Sequence, residues 1–275
     1  CGSTLLFSHH FSELCLDRFN LERMIQVKGI HKQFGDNQVL KGIDVDFIPG
    51  KTNLIIGRSG SGKTVFLKTI LGLYDPDQGS IHYGDEILGE MTKERRKLLR
   101  QELGMVFQGG ALFDSMSVAA NIRFPLDMFS NMTEHQKDER VSFVMDRVRL
   151  QGSGDMFPAE ISGGMQKRVS IARAISMNPK YLFCDEPNSG LDPETAIVID
   201  QLIQELTHEF NMTTIVNTHD MNSVLEIGDH VVFMKDGYKV WEGTNNEVLG
   251  STNADVEEYV FKSKLFKQVR AALRK

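Results

Sequence analysis

Cysteine is scarce in this 275-residue chain. Cys1, Cys15 and Cys184 are odd in number and lack any paired metal-ligand spacing, which argues against a disulfide framework or a zinc centre and for a reducing compartment. Long hydrophobic runs are missing as well. The longest, such as residues 213–216 and 231–234, are strand-sized, against the roughly 20 apolar residues that a spanning helix needs, so any membrane role has to be borrowed from a partner. Nor is there an excess of positive charge. The net charge is −6, and no chain-wide basic field favours a nucleic-acid backbone as partner. No internal repeat or low-complexity segment stands out. What is present, with 25% charged residues, is the composition of a soluble globular chain long enough for one large α/β domain or two small ones.

Residues 1–23 do not share the organisation of the rest. The chain opens with Cys, and Met24 starts the first patterned segment, so residues 1–23 are expected to be a weakly ordered N-terminal arm, a mis-set start or an appended remnant. From there strand-like segments alternate with helical ones, the pattern of a parallel sheet covered by helices. Ile43, Val45 and Phe47 alternate with polar residues, as in a half-buried antiparallel strand, until Pro49-Gly50 ends the run. Residues 53–56 read as a buried strand leading into a glycine-rich loop, residues 64–71 as a helix stopped at Gly72, and residues 80–88 as a hairpin turning at Gly84-Asp85. Residues 93–102 and 134–150 are helical with little strand between them, so a helical insert is expected over about residues 109–165. Alternation resumes at 181–184, 194–210, 213–217 and 231–234.

A tail, residues 251–275, closes the chain. In it Phe261, Leu265, Val269 and Leu273 recur every fourth residue among Lys262, Lys264, Lys267, Arg270, Arg274 and Lys275. A basic amphipathic helix is expected over residues 261–275, with three readings open: packing on its own domain, contact with a second subunit, or an anionic membrane surface.

The strongest motif is Gly57-Arg58-Ser59-Gly60-Ser61-Gly62-Lys63-Thr64, which satisfies G-x-x-x-x-G-K-[ST] after a strand and before a helix. Glycines let the backbone curl so that successive N–H groups point inward, and the helix N-terminus adds partial positive charge, which together suit nucleotide phosphates. Lys63 is placed to reach the β- and γ-phosphates of ATP, and Thr64 to hold Mg²⁺. Further on, the apolar run Tyr181-Leu182-Phe183-Cys184 ends in Asp185 and Glu186. An unpaired ion at the end of a buried run is costly. Beside a phosphate loop, Asp185 suits Mg²⁺, directly or through water, and Glu186 suits polarising the water that attacks the γ-phosphate. A second helix start, Ile161-Ser162-Gly163-Gly164-Met165-Gln166, precedes an apolar-periodic helix containing Val169, Ile171, Ala172 and Ile175. Two phosphate-cradling helix starts in a chain with one nucleotide per site suggest that the second cradle serves a neighbouring copy.

These elements in this order resemble the ATPases of ABC transporters, whose signature reads L-S-G-G-Q. The likeness runs over about residues 24–250. It implies an α/β fold with a P-loop NTPase core of ABC ATPase type, an antiparallel β subdomain and a helical subdomain, and it assigns roles residue by residue. Lys63 and Thr64 match the Walker A lysine and hydroxyl, Asp185 the Walker B aspartate and Glu186 the catalytic glutamate. Gln108 matches the glutamine that senses Mg²⁺ and the attacking water, and His219 the switch histidine on the γ-phosphate. Ser189-Gly190-Leu191-Asp192 matches the loop that crosses the dimer interface, and Phe34 stands where an aromatic stacks on adenine. Ser162, Gly163 and Gly164 are the signature positions facing the other copy's ATP. Ile161, Met165 and Asn188 depart from the usual Leu, Gln, and Thr or Ala, and none of these changes removes a phosphate-contacting group.

Family membership alone does not name a cargo. Phe107-Gln108-Gly109-Gly110-Ala111-Leu112-Phe113, Asn121-Ile122-Arg123-Phe124-Pro125-Leu126 and Pro158-Ala159-Glu160-Ile161-Ser162-Gly163-Gly164-Met165 look like the Mla/Mce-type ATPases, which power phospholipid movement between the membranes of diderm envelopes. That resemblance implies a second copy paired head to tail, an integral-membrane permease, an Mce-type substrate-binding protein, no nucleic acid, and a peripheral place on the cytoplasmic face of the inner membrane. Ala111, Leu112 and Phe113 are either core of the insert or the lining of a groove for the permease. Two rival readings are the ATPase of an importer for a small solute such as an amino acid, and a soluble ABC protein acting on DNA or ribosomes. The second rival usually carries two cassettes or a long coiled-coil insertion, and this chain has one cassette and no such insertion.

Overall fold

The computed structural model describes residues 21–261. A four-stranded antiparallel sheet has the order β2-β1-β4-β5 and is built from β1 (Ile25–Phe34), β2 (Asn37–Phe47), β4 (Gln78–Tyr83) and β5 (Glu86–Ile87). A six-stranded sheet has the order β10-β9-β3-β8-β7-β6, from β3 (Thr52–Ile56), β6 (Leu103–Val106), β7 (Tyr181–Asp185), β8 (Thr213–Thr218), β9 (His230–Lys235) and β10 (Tyr238–Gly243). It is parallel except at its edge, where β10 runs antiparallel to β9. The helices are α1 (Lys63–Ile70), α2 (Lys93–Gln101), α3 (Val118–Phe129), α4 (Glu134–Arg147), α5 (Gly163–Ile175), α6 (Pro193–Glu209), α7 (Met221–Ile227), α8 (Asn245–Gly250) and α9 (Ala254–Val260). Among the described residues no helix is long and apolar enough to cross a membrane.

The two-residue period of the strands divides the core. Leu54, Ile56, Leu182, Cys184, Val216, Val231 and Phe233 face one side of the six-stranded sheet, where α3 to α9 cover them. Ile55, Tyr181, Phe183, Ile215, Val232 and Met234 face the other side, against α1 and the antiparallel sheet. Burying each large apolar side chain contributes roughly 1.5–3 kcal/mol. α1 is thus clamped between the sheets by Phe66, Leu67 and Ile70, all 0% exposed, so the loop at its N-terminus is held from both sides.

Several elements went unread in the sequence, among them α3, β10 and the short helices α7 to α9. α3 contains Pro125, a residue that removes a helix N–H and normally signals a break; here Ser117 caps the start by accepting from the Ala120 N–H at 3.2 Å, and Ile122 and Leu126 are fully buried. β10 is a half-exposed edge strand without a clear apolar alternation. Residues 21–23, placed in the arm by the sequence, are fastened to the body. The Tyr181 hydroxyl donates to the Glu22 carbonyl at 3.0 Å, and Arg23 donates to the carbonyls of Phe210 and Asn211 at 3.0 and 2.8 Å. Of the expected tail helix only Phe261 is described, buried beside Val256 and Val260; residues 262–275 lie outside the described residues.

At the end of the large sheet remote from the phosphate loop, His230 Nδ1 lies 2.9 Å from Asn53 Oδ1 and Nε2 lies 2.8 Å from Glu242 Oε1. The His230 hydrogen bond, with help from Lys239, outweighs burial and holds the Glu242 carboxyl down at about 2. A depressed carboxylate contributes stability above its unfolded pKa and loses it as pH falls toward the folded value. Glu242→Gln is therefore expected to cost about 1–2 kcal/mol at neutral pH, after allowance for partial exposure. The gap between the two unfolding curves should narrow below about pH 4.5, which denaturant titrations at several pH values would measure.

Candidate functional site

The phosphate loop leaves the C-terminal end of β3 and enters α1. A Cβ on Gly57, at φ +151°, would lie 2.3 Å from the Met234 carbonyl oxygen, and one on Gly62, at φ +99°, 3.1 Å from that of Val39. Only glycine lets the chain pass so close to two neighbouring strands. Gly62 caps α1 with no side-chain hydrogen bond, which leaves the first-turn N–H groups for an anion. Lys63 is 7% exposed, and its Nζ donates to the carbonyls of Gly57 and Arg58 at 2.8 and 3.2 Å. Burial lowers its pKa, opposed by the carboxylates of Glu186 and Asp185. The buried Ser61 hydroxyl has no hydrogen-bond partner, an unmet polar group that a phosphate oxygen suits. A cleft of about 450 Å³ opens over this loop, lined by Ser59, Gly60, Gly62, Lys63, Thr64 and Glu186 among others.

Three further residues meet at the ends of three adjacent strands. Gln108 Nε2, after β6, donates to Glu186 Oε2 at 3.0 Å, and His219 Nδ1, after β8, lies 3.0 Å from Glu186 Oε1. Glu186 itself has φ +48°, a left-handed backbone that costs a non-glycine residue roughly 1–2 kcal/mol. It is held there by its N–H, which donates to the Asn217 carbonyl at 3.0 Å. Asn217 also donates from its side chain to Asp185 Oδ1 at 3.1 Å, while its own amide oxygen is buried without a partner. An ammonium, a carboxylate pair, an amide and an imidazole therefore converge beside a phosphate-sized cradle, a set suited to holding a nucleotide and directing water at it.

Other expected site residues lie elsewhere. Ser162 caps α5, accepting from the Met165 N–H at 3.3 Å, and neither it nor Gly163 and Gly164 lines the chain's own cleft. Asp192 caps α6, accepting from the Thr195 N–H at 2.9 Å, so its carboxylate already has a structural partner. Phe34 ends β1, 44% exposed, with its ring edge-on to that of Tyr74 at 5.3 Å; it does not line the cleft.

Sequence reading missed a ladder along one face of α5. Lys167 Nζ donates to the Gln108 carbonyl, Ser170 Oγ to that of Gly110 at 3.0 Å, and Arg173 to those of Gly110 and Ala111 at 2.8 Å each. The three-residue spacing puts all three donors on one side of the helix, and they fasten the loop after Gln108 to the helix that begins at Ser162. The available signal was the recurrence of Lys167, Ser170 and Arg173 at that spacing along the helix. Beyond this loop a groove of about 500 Å³ is lined by Phe107, Ala111, Phe113, Phe124, Phe129 and Met177 among others. Phe113 is 39% exposed, and its ring lies 4.7 Å from that of Phe124. Leu112 turns the other way and packs on the core beneath the helices. The expectation that Ala111, Leu112 and Phe113 act together is corrected: Ala111 and Phe113 line the groove while half-buried Leu112 packs against the core, the loop being turned by the left-handed backbone of Ala111 at φ +48°.

The chain is 34% identical over 239 residues to the intermembrane phospholipid transport system ATP-binding protein MlaF of Haemophilus influenzae, covering 87% of this chain and 90% of that protein. It is 39% identical over 217 residues to the methionine import ATP-binding protein MetN of Clostridium tetani, covering 79% of this chain and 68% of that protein. Among solved structures, the post-hydrolysis dimer of the ATP-binding cassette MJ0796 bound to ADP and Pi superposes with a TM-score of 0.72 at 28% identity, covering 80% of this chain and 98% of that one. The ABC transporter family pattern matches residues 40–189, a span that takes in the phosphate loop, Gln108, the Ser162 helix start and the paired acids. The chain belongs to the ABC transporter family as one of its ATP-binding, ATP-hydrolysing subunits.

Proposed function

We propose that this subunit drives phospholipid movement between envelope membranes, working as a head-to-tail pair docked on the cytoplasmic face of an inner-membrane permease. One observation carries the pairing: the Ser162 helix start, with Gly163 and Gly164 behind it, stands outside the cleft of its own chain and is free to close over the nucleotide of a second copy. The post-hydrolysis dimer of the MJ0796 cassette supports that arrangement. For the cargo, the likeness to MlaF extends over 90% of that protein against 68% for MetN. The higher identity to MetN, 39% against 34%, favours methionine import as the second reading.

In the proposed cycle the N–H groups of the phosphate loop and Lys63 bind the β- and γ-phosphates, and Phe34 offers a ring face to the adenine. Thr64 and Asp185, with Gln108 nearby, would hold Mg²⁺, which supplies neutralisation of phosphate charge. Both Glu186 oxygens are engaged, one by Gln108 and one by His219. When His219 turns to the γ-phosphate, one carboxylate oxygen is freed to accept a proton from the attacking water. Gln108 moves with this exchange, and the α5 ladder passes the motion to the signature and to the groove, where a short permease helix docks. An Mce-type binding protein completes the assembly.

The cargo is tested by mass spectrometry of what co-purifies with the full chain and its partners from detergent-solubilised membranes. Enriched phospholipid is expected. Methionine without bound phospholipid would replace this reading with the second.

A further inference from the structure

Two residues beyond Glu186 the chain turns inward. Asn188 Nδ2 donates to Asp200 Oδ2 at 3.1 Å and to Ser223 Oγ at 2.9 Å, and Ser223 Oγ donates to the same Asp200 oxygen at 2.7 Å. Asp200 lies on the buried face of α6 at 3% exposure, Asn188 is buried, and Ser223 in α7 is 0% exposed. α7 starts just after His219, with Asp220 as its cap. One carboxylate oxygen therefore gathers the loop that follows Glu186 and the helix that follows His219. Since Glu186 and His219 also meet each other at 3.0 Å, a ring closes, with the reacting groups on top and the buried trio beneath.

The carboxylate is costly to bury. Burial pushes the Asp200 carboxyl up to about 6, and the charges of Asp220 and Glu226 add to the effect against the Ser223 and Asn188 hydrogen bonds. An apolar side chain in its place would be spared that burial, but the Asn188 amide and the Ser223 hydroxyl would lose their shared acceptor. What the carboxylate does provide is an acceptor shared by two loops, one of which carries the left-handed backbone of Glu186.

We propose that Asp200 is a positioning residue for ATP hydrolysis, holding the Glu186 loop and the His219 loop in register through Asn188 and Ser223. The proposal rests on the roles given above to Glu186 and His219.

The test is steady-state MgATP hydrolysis by the full chain, with thermal unfolding measured on each variant. Asp200→Leu removes the shared acceptor, and its kcat, measured well below its own melting temperature, is expected to fall about tenfold with KM for ATP within about twofold. Asp200→Asn keeps an oxygen for both hydrogen bonds and is expected to stay within about twofold of the parent kcat. Asn188→Ala and Ser223→Ala should each lower kcat several-fold, and the pair together should cost no more than about the worse single change, because they share one acceptor. Should Asp200→Leu fail to fold, these two variants carry the test.

Parent kcat in both alanine variants, a loss confined to KM, or an Asp200→Asn as slow as Asp200→Leu would each overturn the proposal. Glu186→Gln is assayed alongside. If it hydrolyses ATP at the parent rate, the reading of the site has failed; if it is inert while the alanine variants are normal, the positioning role alone has failed.

Discussion

Glu186→Gln is expected to bind MgATP and to lose turnover by at least about 10²-fold in kcat, the scale of a missing general base. The substitution is isosteric, and the N–H that holds residue 186 against the Asn217 carbonyl is untouched, so the site keeps its shape. What disappears is a carboxylate oxygen able to take a proton once His219 lets go of it. Nucleotide then stays bound, and an ATP-locked dimer should accumulate, visible by gel filtration with and without MgATP beside an assay of phosphate release. Near-parent turnover would remove Glu186 from its role. Lys63→Ala fails at an earlier step. Its ammonium is already folded over the loop through the Gly57 and Arg58 carbonyls, so its loss should abolish MgATP binding itself and no dimer should form.

Phe113→Asp and Leu112→Asp are expected to fail in opposite ways, although the residues are neighbours. Phe113 lines the groove and is part exposed, so an aspartate there leaves the isolated subunit folded and able to hydrolyse ATP. The permease contact is lost, because a joint that buries a phenylalanine worth roughly 1.5–3 kcal/mol now has to desolvate a charge. Pull-down of the permease and ATP-driven transport should collapse together. Leu112 packs on the core, and an aspartate there should destabilise the subunit by roughly 2–4 kcal/mol and lower its melting temperature before any partner is involved. The reverse pattern, with Phe113→Asp unfolding and Leu112→Asp merely uncoupled, would contradict the groove assignment.

The residues that sequence made legible are those whose chemistry dictates their neighbours. Gly57 to Thr64, Asp185 and Glu186 announce themselves because a phosphate cradle needs small residues before a helix and because paired acids ending a buried strand need a cation or a water. Gln108 and His219 were placed through the resemblance, and their convergence on the two Glu186 oxygens is what the fold adds. The Lys167, Ser170 and Arg173 ladder stayed hidden because its acceptors are backbone carbonyls about sixty residues away, and a carbonyl has no sequence signature. Asn188 stood out only as an unusual residue. Its meaning depends on Asp200 and Ser223, which lie on two different helices. α3 was missed because Pro125 normally ends a helix, and the contrast between Leu112 and Phe113 was missed because loop residues carry no period from which an inward side can be read.

The central claim, that ATP hydrolysis at this site moves phospholipid, is tested most directly by rebuilding the assembly. The full chain would be reconstituted into vesicles with the permease that co-purifies with it, and transfer of a fluorescent phospholipid followed with MgATP present and absent. ATP-dependent transfer that disappears with Glu186→Gln is the predicted result. Full ATP hydrolysis with the labelled phospholipid left in place, or methionine uptake instead, would contradict it.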